Sequence, residues 1–252
     1  MKVLAIDAGN SRIKWGFAED NGWLQRGACD TADAAQLGEA LKALPAPARI
    51  VVSNVAGAHV REAITQALAS YANAPLWIKA CAQQCGVRSG YADPAQLGSD
   101  RWAGLIAAWK LPARAGRACV VANAGTTMTV DALSAEGVFL GGVIVPGLDL
   151  MRASLDRGTA QLKLQPGAFC YFPDNTADAI MSGAVNALAG AIERMRGYLA
   201  QSTQSTPLVV LSGGAAPIIQ PQLQATDGTV AEVERVDNLV LDGLLEIARD
   251  TF

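Results

Sequence analysis

Apolar residues along this chain come in short runs that end in small or polar turns. Residues 2 to 6 form such a run, and Arg12 to Phe17 alternate polar and apolar, so a buried strand and a half-buried strand are predicted around the turn Asp7-Ala8-Gly9-Asn10-Ser11. Thr31 to Leu44 is rich in Ala and Leu at helical spacing. Ile50 to Val55 reads as another buried strand, and Val60 to Tyr71 as another helix. Trp102 to Trp109 is an apolar helical run in which the two tryptophans, seven apart, share a face; core packing is their expected role.

The opening plan recurs. Ala118 to Ala122 leads into Asn123-Ala124-Gly125-Thr126-Thr127 and then into alternating residues 128 to 132, at an offset of 116 residues. A strand over Phe139 to Val145, helices over Leu148 to Leu155 and Ala177 to Leu199, and a strand over Leu208 to Leu211 with the turn Ser212-Gly213-Gly214 complete the second half. Such self-similarity implies a duplicated α/β protein. The helix-breaking stretch Leu111 to Arg117 places the division between residues 1–115 and 116–252.

Composition narrows the chemistry. With 252 residues, 51% of them hydrophobic, each half can bury a core of its own. A net charge of -3 offers no general attraction to nucleic acid or an anionic membrane. The first apolar run is too short for a signal peptide or a membrane span, so a cytoplasmic protein is expected. The five cysteines have no Cys-x-x-Cys spacing and are expected to be reduced; Cys81 and Cys85 would share a face if helical, but no second pair of metal ligands accompanies them. His59 is the single histidine and lies outside any nucleophile elbow, which argues against a Ser-His-Asp hydrolase.

A glycine turn with small polar neighbours lets backbone N–H groups approach a phosphate. Residues 7–11 and 123–127 have that character. Asp7, closing a buried strand, is suited to the divalent ion that bridges nucleotide phosphates, with Arg12 and Lys14 supplying positive charge. Each turn alone is more often an ordinary hairpin, but two at equivalent places and a third at Gly213-Gly214 are harder to explain that way. Neither the P-loop nor the Rossmann glycine pattern is present.

Together the turns resemble the actin-like ATPase and sugar kinase superfamily. Over almost its whole length the chain resembles the type III pantothenate kinases. The resemblance rests on Asp7-Ala-Gly-Asn-Ser, Tyr91 to Arg101, Asn123-Ala-Gly-Thr126, Gly141 to Gly147, Asn175-Thr176 and Ser212-Gly-Gly. It implies two RNase H-like halves, each a mixed sheet flanked by helices, with ATP in the cleft between them. It also implies transfer of the ATP γ-phosphoryl group to the 4′-hydroxyl of pantothenate, opening coenzyme A synthesis. Residues 7–14, including Ala8, Gly9, Asn10, Ser11 and Ile13, would bind ATP together with Thr126, Gly213 and Gly214. Asp100 matches the family's general base, and Tyr91, Gly98, Ser99, Arg101 and Thr176 its pantothenate site, Thr176 coming across a homodimer interface. On local sequence alone Asp100 reads as a helix N-cap, Thr176 as a cap for the next helix and Tyr91 as a packing residue.

One position departs from the family's pattern. The second turn usually begins with Asp, which serves a monovalent cation, potassium or ammonium; here it is Asn123, whose amide lacks the compensating charge. Magnesium with ATP is the expected cofactor set. A sugar or amino-sugar kinase, and a regulatory protein on the same scaffold, are the competing readings; no basic patch supports contact with DNA.

Overall fold

The computed structural model describes residues 1–20, 22–159, 162, 165–223 and 231–250. It divides into two compact units, Met1–Leu111 with Asn238–Phe252, and Pro112–Asp237. The final segment, which sequence reasoning assigned to the second half, thus returns to the first unit.

The first unit contains β1 (Lys2–Ala8), β2 (Arg12–Glu19), β3 (Gly22–Asp30), α1 (Leu37–Leu41), β4 (Arg49–Asn54), α2 (Ala58–Ala67), β5 (Leu76–Trp77), β6 (Gln83–Gln84), β7 (Val87–Ser89) and α3 (Ser99–Lys110). Its main sheet has the order β3-β2-β1-β4-β5, with β1 antiparallel to β2 and parallel to β4. Side chains alternate across this sheet as the period of two requires. Leu4, Ile6, Ala8, Ile13, Trp15, Phe17, Ile50 and Val52 pack on one face against Leu37 and Leu41 of α1 and Val60 and Ile64 of α2. Helix α3 and the last helix contact β4 from this unit, and a Cβ at Gly243 of that last helix would stand 1.8 Å from the Ala103 carbonyl, so their crossing requires glycine.

The second unit contains β8 (Cys119–Ala124), β9 (Thr127–Leu133), β10 (Val138–Pro146), α4 (Leu148–Gly158), α5 (Thr176–Thr203), β11 (Leu208–Ser212), α6 (Ala216–Ile219) and β12 (Val233–Arg235). The chain ends in α7 (Leu239–Asp250), the helix that carries Gly243. Within this unit the strands run β10-β9-β8-β11-β12, with β8 antiparallel to β9 and parallel to β11. That is the first unit's order and direction repeated strand for strand. Its core packs Val120, Ala122, Val130, Val209 and Leu211 against Leu188 and Ile192 of α5.

Two expected elements differ in detail. Thr31 to Gln36 is a 3-10 helix, and only residues 37–41 of the Ala-rich stretch are α-helical, because Asp33 departs from helical backbone angles at φ -103° and ψ 24°. Cys81 and Cys85 are not helical; Cys85 is buried in a turn at φ 52° and Cys81 is exposed, so they share no helical face.

Candidate active site

The first turn is a hairpin whose tip is Asn10 and Ser11. Gly9 N–H donates to the Arg12 carbonyl at 3.0 Å, closing the tip, and Ala8 pairs with Ile13. The tip is tied down from outside the hairpin. Thr31 Oγ1 donates to the Gly9 carbonyl at 2.7 Å, and Thr31 N–H to the Ser11 carbonyl at 3.0 Å. Two carbonyls of the turn are therefore drawn toward Thr31, as a loop that offers N–H groups to an anion requires.

Asp7 is half-buried on β1, with Lys14 of β2 and Ser53 of β4 as its neighbours in register. Burial pushes its carboxyl up to about 7, the charge of Asp100 adds to the rise, and Lys14 opposes it. Asp100 therefore lies within electrostatic reach of Asp7. It is the second residue of α3, half-buried, and its carboxyl is raised above the ordinary range mainly by burial, against the pull of Arg101 and its N–H. Arg101 N–H donates to Asp100 Oδ1 at 2.8 Å.

The N-cap of α3 is Gly98, with no side-chain cap, so Asp100 is not the capping residue that local sequence favours. A Cβ on Gly98 would lie 2.6 Å from Asp100 Oδ1; glycine leaves the room this carboxylate occupies. Ser99 is buried, and its Oγ shares a 2.9 Å hydrogen bond with Ser53 Oγ. Tyr91 is half-buried in the loop before α3, where its N–H donates to Ser89 Oγ at 3.3 Å. Leu97, 2% exposed, anchors the end of that loop.

The second turn is one residue tighter. Ala124 pairs with Met128 and Gly125 N–H donates to the Thr127 carbonyl at 3.1 Å, leaving Thr126 as the tip. Two other glycines crowd against it. A Cβ at Gly147 would fall 2.1 Å from the Gly125 carbonyl, and one at Gly213, where φ is 101°, 2.4 Å from the Ala124 carbonyl. Gly147 N–H donates to the Thr126 carbonyl at 2.9 Å and Ala215 N–H to the Ala124 carbonyl at 3.1 Å. Asn123 is half-buried and stands in register with Ser212 and Thr129, a set of uncharged oxygen-bearing side chains. The expected adenosine turn and the second phosphate turn are thus brought together in one unit.

Thr176 is the first residue of α5 and exposed. It does not cap the helix: Asn175 does, accepting from Asp178 N–H at 3.0 Å. Thr176 lines an apolar groove of about 740 Å³ between α4 and α5, with Met151, Leu155, Pro173 and Ile180. Sequence reasoning missed Ser53 and Thr31. Ser53 did carry a signal, since a polar residue closes the apolar run of β4 as Asp7 closes that of β1.

Two copies of one mixed-sheet unit, each opening on a strand, a glycine turn and a strand, define the actin-like ATPase and sugar kinase class. A solved structure described as a putative 2-dehydro-3-deoxygalactonokinase from Sinorhizobium meliloti has this fold, with a TM-score of 0.60, 18% identity and 98% of each chain covered. The type III pantothenate kinase family pattern matches residues 3–197. Type III pantothenate kinases of Nitrosospira multiformis and Aromatoleum aromaticum are 51% and 49% identical to this chain, covering 99% and 98% of it and 92% and 98% of their own lengths. The chain belongs to the type III pantothenate kinase family.

Proposed function

We propose that this chain transfers the γ-phosphoryl group of ATP to the 4′-hydroxyl of pantothenate, giving 4′-phosphopantothenate and ADP in the first step of coenzyme A biosynthesis. The observation that carries the reading is Asp100: a half-buried carboxylate with a raised pKa on the first turn of α3, within electrostatic reach of Asp7. A carboxylate made more basic by burial is a better proton acceptor at neutral pH. In this reading Asp100 takes the proton of the 4′-hydroxyl as the oxygen bonds to the γ-phosphorus and the bond to ADP breaks.

Residues 7–14 and Thr126 hold the phosphates, and the Gly213-Gly214 turn the adenosine. Asp7 fits a divalent cation: it is a carboxylate whose burial cost Lys14 only partly offsets, and a cation would supply the rest. Magnesium, held by Asp7, would neutralise charge on the phosphate oxygens. Tyr91, Gly98 and Ser99 line the pantothenate site, and Arg101 pairs with the substrate carboxylate, for which its planar fork is suited. Asn123 with its uncharged neighbours holds potassium or ammonium weakly. The apolar groove at Thr176, lined by Pro173 whose sequence neighbour Phe172 is 95% exposed, supports a homodimer in which Thr176 serves the partner's site.

Asp100→Asn is expected to lower kcat by roughly 10²- to 10⁴-fold while ATP affinity, measured by calorimetry, is kept. Near-normal turnover would remove Asp100 from the reaction.

A further inference from the structure

Ser53 is fully buried and has no part in the chemistry above. It stands in register with Asp7 across the parallel β1–β4 pair, and Lys14 stands in register on the other side. Residues paired in register share a face, so the three side chains form one row across the sheet. From the end of that row Ser53 Oγ meets Ser99 Oγ at 2.9 Å, joining β4 to the first residue of α3. Asp100 is the next residue. We propose that Ser53 is a positioning residue for the phosphoryl transfer, fixing Asp100 at its working distance from the strand that carries Asp7.

The need for such a tie follows from the helix terminus. The cap of α3 is Gly98, which has no side chain with which to fix the first turn. The Ser53–Ser99 bond crosses from the sheet to that turn and resists its retreat. Losing it also strands the Ser99 hydroxyl in a buried place, which favours rearrangement of the same turn. Phosphoryl transfer depends on alignment, and a displacement of about 1 Å costs on the order of 10²-fold in rate.

The inference rests on the reading of Asp100 as the base, and a double-mutant cycle tests it. Ser53→Ala is expected to lower kcat for pantothenate roughly 10- to 100-fold while KM for ATP stays within about twofold. In an Asp100→Asn background the same change is expected to have less than about a twofold effect on residual turnover, because the base it positions is gone. Ser53→Cys fills the site with a somewhat larger side chain that keeps a weak donor, and is expected to fall between wild type and Ser53→Ala; it carries the test should Ser53→Ala not fold. Wild-type kcat in Ser53→Ala, or an equal loss with and without Asp100, would overturn the inference alone. A wild-type chain that forms no ADP with pantothenate would overturn the functional reading and the inference with it.

Discussion

A carboxylate held near pKa 7 at the end of a buried strand is costly to keep, and Asp7 shows what the cost is. Its folded-state pKa of about 7 exceeds the ordinary 3.8, so between those values the native chain binds a proton that the unfolded chain releases. Stability therefore falls as pH rises through that window, by at most about 1.4 kcal/mol per pH unit, and the deficit remains above it. Asp7→Asn removes the deficit. In metal-free buffer at pH 8 the variant is expected to melt several degrees above wild type, and at pH 3.5 to melt with it, while magnesium-dependent ATP turnover is lost. An unchanged melting temperature at pH 8 would show that Asp7 is not strained. Asn123 gives the complementary case. With an uncharged group at this position, exchanging potassium for tetramethylammonium at fixed ionic strength is expected to change kcat less than about twofold, and Asn123→Asp to create a dependence. A many-fold potassium effect in the wild type would contradict the role given to Asn123.

At the scale of elements, the second turn is built by close approach. Gly147 at the start of α4 and Gly213 after β11 both lie where a side chain would strike the carbonyls of residues 124–126. Gly147→Ala is expected to raise KM for ATP severalfold and to lower stability by roughly 1–3 kcal/mol, the range of an overpacked buried site, with urea unfolding as the check. Gly16→Ala, whose Cβ would meet the Trp23 ring at 2.4 Å far along the hairpin, is expected to lower stability without changing KM for ATP. The turns themselves were legible in sequence because the buried apolar runs of β1 and β8 give way to small and polar residues. Strand β3 was not, since none of its residues is buried and its first half has no alternation. The tie between Ser53 and Ser99 was not either, because it joins residues 46 apart and only the fold brings them together. Asp100 read as a cap for a related reason: acidic residues suit the first turn of any helix, and only the fold puts Gly98, two residues earlier, at the cap position.

For the whole molecule, the repeated strand order of the two units bears out the duplication inferred from the two turns, and it accounts for a glycine turn at the same place in each. The exception to a simple repeat is α7, which follows the second unit in sequence and packs with the first. Sequence could not assign it, because its partner α3 lies far upstream and the crossing depends on Gly243 against Ala103. The exposed apolar groove at α4 and α5 leads to a prediction for the assembly: Ile180→Asp is expected to convert a dimer into monomers in light scattering and to raise KM for pantothenate through loss of the partner's Thr176. A monomeric wild type would contradict that arrangement. The central claim is the identity of the acceptor, and one measurement tests it most directly. Purified protein with magnesium and ATP, offered pantothenate beside a panel of sugars and amino sugars, is expected to release ADP with pantothenate and yield 4′-phosphopantothenate by mass spectrometry. ADP release with a sugar but not with pantothenate, or with neither, would contradict it.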